Sequence, residues 1–208
     1  GPAAVPPLLV LPVVARRGGA EGGAGATAGD SIGTFAAIAI AYGWTTIGPA
    51  LVSVALDDPH RGRLYRHALV VRLLIAAVGL PAAAIICALV ASPGYELLAV
   101  LMGLQGALIA MSFTWFAVGV GNPRSIMLYD AVPRVVMAVL AAFAIAQTGI
   151  VELYPLTGIA VTLIGTSIYT VRLFKRYPSD WPRARELPGL FRLGAPVALN
   201  HAALGAYS

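Results

Sequence analysis

The sequence predicts an all-α membrane protein, a polytopic bundle of transmembrane helices. Three observations predict it. Five long apolar stretches follow one another between Ile32 and Phe174. Each has about the 20 residues that a helix needs to cross a hydrocarbon core about 30 Å thick. Only 11% of the residues are charged and the mean hydropathy is +0.83, whereas soluble domains carry about 25% charged residues. Basic residues gather on alternate connections, which is the signature of threaded helices and not of a soluble core.

The elements follow in order. The Pro-rich apolar piece Gly1–Ala15 is too short to span alone and reads as the tail of a first span. It is not a signal peptide, because Arg16–Arg17 follow the apolar part instead of preceding it. Arg16–Gly25 is a Gly-rich connection. Ala26–Leu56 is the second span and Asp57–His67 a charged loop. Ala68–Ala91 is the third span, interrupted near its start by Arg72. A turn at Ser92–Glu96 contains the turn dipeptide Pro93–Gly94 and leads to the fourth span, Leu97–Val120. Gly121–Arg124 is a tight turn, Ser125–Ala146 the fifth span and Gln147–Leu153 its closing turn. Tyr154–Phe174 is the sixth span and Lys175–Arg192 a basic connection. Leu193–Ser208 opens a seventh. The runs are about twice the length of a barrel strand and lack a period of two, so helices are the reading.

The expected organisation is therefore a bundle over residues 1–176, a basic linker over 177–192 and the start of a second bundle over 193–208. Both ends read as cut, since the chain starts without Met and stops in an apolar stretch.

Orientation follows from the charges. Of fourteen Lys and Arg residues, only Arg16 and Arg17 fall on the side of the first outer connection; the other twelve flank the even-numbered connections. That side is cytoplasmic. The net charge of +5 is then a topological signal and not a nucleic-acid footprint. Cys87 is the single cysteine, so no disulfide within the chain is expected. Trp181, Leu187, Leu190 and Phe191 among the arginines of the linker suit a segment lying on the anionic inner leaflet, or an ordinary basic connection.

No phosphate loop, His-Glu-x-x-His or Cys/His cluster occurs, and no cofactor is expected. The informative residues are polar ones inside the spans, because charge in hydrocarbon must face a partner or a wet cavity. Arg72 either snorkels to the cytoplasmic interface or lines a cavity for an anionic headgroup. Asp130 and Arg134 stand i,i+4 on one helix face, as a structural ion pair or as a cavity wall where a substrate phosphate competes for Arg134. Asp30 is read as an outer N-terminal cap before a proton site. Gln105 and Asn200 are placed for hydrogen bonds between helices. His201 is a further polar packing residue. Trp115–Phe116 and Tyr129 suit an aromatic belt at the inner boundary.

Three stretches carry a family resemblance. Gly19–Gly25, followed by Tyr42–Gly43, is the first. Asp57–Leu74, a charged loop running into an arginine-bearing helix, is the second. Thr114–Ser125, continued by Asp130–Arg134, is the third. Together with Phe191–Asn200 they resemble the polysaccharide (O-antigen) flippases of the Wzx type, within the multidrug/oligosaccharidyl-lipid/polysaccharide exporter superfamily. The chain departs from that pattern at Gly48–Leu56, which lacks an arginine, and in the first outer loop, which keeps Glu21 without the Pro–Glu pair.

The resemblance implies a non-enzymatic transporter with two six-helix bundles around a central cavity in a bacterial inner membrane. It would flip an undecaprenyl-pyrophosphate-linked oligosaccharide by alternating access, with a proton or sodium gradient as the drive. Arg72, Arg134, Asp130, Gln105 and Asn200 would line the substrate path. A drug or metabolite exporter of the same superfamily is the alternative. A membrane-embedded polyprenyl-sugar enzyme would have to use Asp57–Asp58 and His60.

Overall fold

A computed structural model describes the backbone at 5–186, 188 and 189, and side chains from residue 23 onward except at 184 and 187. Every regular element among these residues is helical. Five helices are long and apolar enough to cross a membrane: Gly23–Ser53, Asp58–Val90, Glu96–Gly119, Pro123–Thr148 and Leu153–Arg176. The fold is that of a multi-pass helical membrane bundle. Its outer surface is apolar, with Leu73, Val78 and Ile85 of the second crossing and Val139, Leu140 and Phe143 of the fourth exposed, as lipid contact requires.

Helix α1 runs over Val5–Ala41. The expected Gly-rich connection at 16–25 is helical, and the chain does not reverse there. The physical reason lies in what the glycines further along α1 do. Gly25, Gly29 and Gly33 recur every fourth residue and lie against the Tyr95–Gly106 region of the third crossing. A Cβ at Gly29 would overlap the Ala99 carbonyl, and one at Gly33 the Gly103 carbonyl. Small residues at this spacing let two backbones approach closely, which is how helices associate where lipid removes the hydrophobic drive. The glycines make a packing stripe on a helix instead of a turn.

Tyr42 (φ 47°) and Gly43 (φ 78°) break the helix with two left-handed residues, and α2 continues as Trp44–Ser53. Helix α3 covers Asp58–Val90. The charged stretch expected as a loop at Asp57–His67 is therefore helical almost throughout. Asp57 is its N-cap, accepting a 2.7 Å hydrogen bond from the His60 amide, with Pro59 in the first turn. Asp58 pairs with Arg61 at 3.6 Å. The one acidic cluster that an enzyme reading would use thus starts a helix.

The third crossing is broken. Helix α4 (Glu96–Leu108) tightens into a 3₁₀ turn at Ile109–Met111, Ser112 becomes extended, and α5 (Thr114–Gly119) follows. After the turn at Gly121, α6 (Pro123–Ile126) widens into a π-helical turn at Met127–Ala131 before α7 (Val132–Thr148). Gly149 (φ 76°) closes α7, and α8 runs over Leu153–Arg176. The turns fall within a few residues of their expected places.

Trp44, Tyr65, Phe113, Trp115, Phe116 and Tyr169 form one buried aromatic core. Phe113 stacks on Tyr169 at 4.0 Å between ring centres. Trp115 and Phe116, expected near the inner boundary as structural residues, are 3% and 0% exposed and sit inside this core. The segment after α8 folds back over the start of α3. Arg66 donates to the Tyr177 carbonyl at 3.0 Å and to the Ser179 hydroxyl, and its guanidinium lies over Phe174 and Trp181.

Candidate functional site

Four helices line a mostly apolar pocket inside the bundle, which carries a few convergent polar groups. It has a volume of about 110 Å³ and lies between α1, α4, α7 and α8. Its polar lining is Thr27 and Asp30 of α1, Gln105 of α4, Arg134 of α7, and Tyr154 and Thr157 of α8. Met102, Ile109, Met137 and Val161 complete the wall. At 1.5 Å per residue, Arg134 lies roughly 16 Å along the crossing that begins at Pro123.

Arg134 is held from two sides. Its Nη2 donates to Asp130 Oδ1 at 2.5 Å and to the Thr162 hydroxyl at 3.3 Å. Both partners of the ion pair are largely buried, with side chains 13% and 21% exposed. The wide π turn at Met127–Ala131 carries Asp130 to this position, and such single-turn bulges recur at functional sites. Gly165 of α8 packs on the Tyr129 carbonyl of the same turn, so the bulge sits against a helix with no side chain in the way.

Gln105 reaches across to α8. Its amide lies over Gly158, where a Cβ would overlap it, and meets the Tyr154 hydroxyl. Gln105 Oε1 is buried without a hydrogen-bond partner. Asp30 shares the pocket with Gln105 and Arg134. It stands in the interior of α1, so the expected role as an N-terminal cap is corrected; the helix simply does not begin there.

Arg72 is elsewhere. Both expectations for it, snorkelling and a cavity wall shared with Arg134, are corrected. It is 0% exposed and absent from the pocket lining. Its Nη1 donates to the Ala110 and Ser112 carbonyls at 2.8 and 3.1 Å, and its Nε to Ala68 at 3.3 Å. Its guanidinium lies over Trp115, 5.4 Å from the ring centre. The broken helix explains this. Its terminal carbonyls have no helical partner and no water in the bilayer, so a cation from the neighbouring helix satisfies them.

The structure thus brings together Arg134, Asp130 and Gln105 and sets Arg72 apart. Asn200 and His201 lie outside the described residues. Sequence reasoning missed Tyr154 and Thr157 as pocket residues, and it missed the meeting of Asp30 with Arg134. Tyr154 and Thr157 fall on one α8 face with Gly158 and Val161, an i,i+3,i+4,i+7 pattern that was available in the sequence. The chain matches no protein-family profile, no characterised protein and no solved structure.

Proposed function

We propose that this chain is part of a transporter that moves a polyprenyl-pyrophosphate-linked oligosaccharide from the inner to the outer leaflet of a bacterial inner membrane, by alternating access. The observation that carries the reading is the Arg134 guanidinium, paired with Asp130 within an apolar crossing and lining a pocket between four helices. An intramembrane cation in a cavity marks a path for an anion. Arg suits a pyrophosphate because its planar donors match phosphate oxygens. Asp130 keeps the guanidinium neutralised until a phosphate oxygen takes its place. The resemblance of Thr114–Ser125 and Asp130–Arg134 to the Wzx-type flippases supports the same substrate class.

The test is translocation of a fluorescent polyprenyl-pyrophosphate oligosaccharide in vesicles carrying the full-length protein. Arg134→Gln is expected to lower the rate at least about tenfold, the loss that follows when a charged group is left without its partner. Unchanged glycan export in a deletion strain would rule the reading out.

One observation favours a second reading. Asp30 in the same pocket offers a carboxylate where an exporter of the same superfamily would bind a proton, sodium or a cationic drug. Efflux of a cationic dye that is abolished by Asp30→Asn, with no effect on glycan translocation, would select it.

A further inference from the structure

A second cavity opens at the cytoplasmic end of α8. It measures about 430 Å³, and its walls carry Arg172 and Arg176 of α8, Asn122 and Ser125 at the start of the fourth crossing, and Tyr129. No carboxylate lines it. Among the described residues neither arginine lies within 4.0 Å of an acid, while Arg61 and Arg134 do. Arg172 donates to the Tyr129 hydroxyl and lies over that ring, 5.2 Å from its centre. The guanidinium is thereby fixed at the cavity edge instead of ranging through solvent.

Directly beyond Tyr129 the surface changes character. An apolar groove of about 410 Å³ runs between the fourth crossing and α8, walled by Leu128, Pro133, Met137, Ala160, Ile164 and Ile168. Tyr129 is common to both cavities. Along α8 the order is therefore charge first and hydrocarbon after. Arg176 and Ala160 are separated by roughly 24 Å of helix. That is the order and approximate length of a lipid molecule standing in one leaflet, and the arginines lie at the end that the positive-inside count assigns to the cytoplasm.

We infer that this paired cavity is a seat for an anionic glycerophospholipid of the cytoplasmic leaflet. The headgroup phosphate sits between Arg172 and Arg176 with Asn122 and Ser125 as further donors, and an acyl chain lies in the groove. Basic pockets between helices on the cytoplasmic side hold phosphate headgroups in this way. The cationic charge without a counterion asks for an anion, and the continuous apolar groove asks for a tail. A free inorganic anion satisfies the first and not the second. The headgroup cavity shares no lining residue with the Arg134 pocket, the groove meets that pocket at Met137 and Val161, and the seat stands whether or not the chain is a transporter.

The test is native mass spectrometry of the full chain in neutral detergent with equimolar phosphatidylglycerol and phosphatidylcholine. The wild type is expected to retain phosphatidylglycerol over phosphatidylcholine by roughly fivefold or more, the scale set by one or two arginines at the surface. Arg172→Gln/Arg176→Gln brings the ratio near one. Arg63→Gln/Arg183→Gln, with the same change in net charge, leaves it high. Ala160→Phe, which fills the upper groove without altering charge, lowers retention of phosphatidylglycerol, and it decides the matter should the double arginine variant fail to fold. Equal retention of the two lipids overturns the seat, and so does an equal loss in both double variants. Displacement by millimolar inorganic phosphate reduces it to an anion site. Preferential retention of a polyprenyl phosphate over phosphatidylglycerol overturns the choice of lipid and assigns the seat to a prenyl carrier.

Discussion

Arg72 and Ala110 are joined by a 2.8 Å hydrogen bond that ties the second crossing to the break in the third. The bond turns a residue that looks like a candidate for substrate binding into part of the scaffold. The same Nη1 also donates to Ser112, Nε donates to Ala68, Nη2 is buried without a hydrogen-bond partner, and the guanidinium lies over Trp115. One charge therefore satisfies the orphan carbonyls of the helix break and anchors the aromatic core beneath it.

Arg72→Ala is accordingly expected to remove folded protein, and not merely transport. The loss leaves the Ala110 and Ser112 carbonyls unsatisfied at a fully buried site, at about 1–3 kcal/mol for each. Arg72→Lys keeps the charge and is expected to recover only part, because a single ammonium nitrogen can replace Nη1 at the Ala110 and Ser112 carbonyls but leaves the bond from Nε to Ala68 and the planar contact with Trp115 unmade. Fluorescence-detected size exclusion after a heat ramp measures both. A variant with wild-type thermal stability would show that the carbonyls have another donor.

The contrast between Arg72 and Arg134 shows what could be read in advance. The fold class was legible because a bilayer constrains composition and length so strongly, and the turns at Pro93–Gly94, Gly121–Asn122 and Gly149 were legible from their residues. The Asp130–Arg134 spacing also foretold a pairing, which the structure has at 2.5 Å. What the sequence hid depends on contacts distant in the chain. Nothing local announces that Ser112 will leave the helix and present carbonyls to Arg72, or that Gln105 will lie over Gly158. The Gly-rich start was misread for a simpler reason. Glycine serves both turns and close helix packing, and only the fourfold spacing of Gly25, Gly29 and Gly33 separates the two.

That stripe gives a second prediction. Gly33→Val is expected to separate α1 from α4, because the added carbons meet the Gly103 backbone, which cannot rotate away as a side chain can. Overpacking of a tight interface costs roughly 1–3 kcal/mol, occasionally more. The midpoint of thermal unfolding in detergent should fall accordingly. A wild-type midpoint for Gly33→Val would place the interface elsewhere.

A third prediction concerns the Arg134 pocket. Gly158→Ala is expected to fold, because the group it displaces is the flexible Gln105 amide and not backbone. The displaced amide must leave the Tyr154 hydroxyl. Gln105→Ala alone creates a space that the Gly158→Ala methyl can partly fill. The two changes together should then cost less than their sum, with an interaction of about 0.5–3 kcal/mol in a double-mutant cycle. Strict additivity of the two in thermal unfolding would show that Gln105 and Gly158 are not in contact.

The fourth prediction follows from Arg66. This residue is 6% exposed although it lies in the charged stretch Asp57–His67. It holds the chain after α8 by the Tyr177 carbonyl and the Ser179 hydroxyl, and it lies between Phe174 at 4.6 Å and Trp181 at 5.7 Å from the ring centres. Gly62, one turn earlier, lets the Tyr177 carbonyl approach the α3 backbone. Cation–π contact of this kind contributes about 0.5–2 kcal/mol, and the hydrogen bonds from a charged donor add to it. Arg66→Ala should therefore release the segment at 177–186 while α3 stays capped by Asp57. Trp44 and Trp115 are buried in the aromatic core and give a constant background, so a red shift in the emission of the variant reports Trp181 alone. Faster proteolysis after Arg183 or Arg185 should accompany it. Unaltered emission and unaltered cleavage would mean that the aromatic contacts hold the segment without the guanidinium, leaving Arg66 a passenger on a strap made by Phe174 and Trp181.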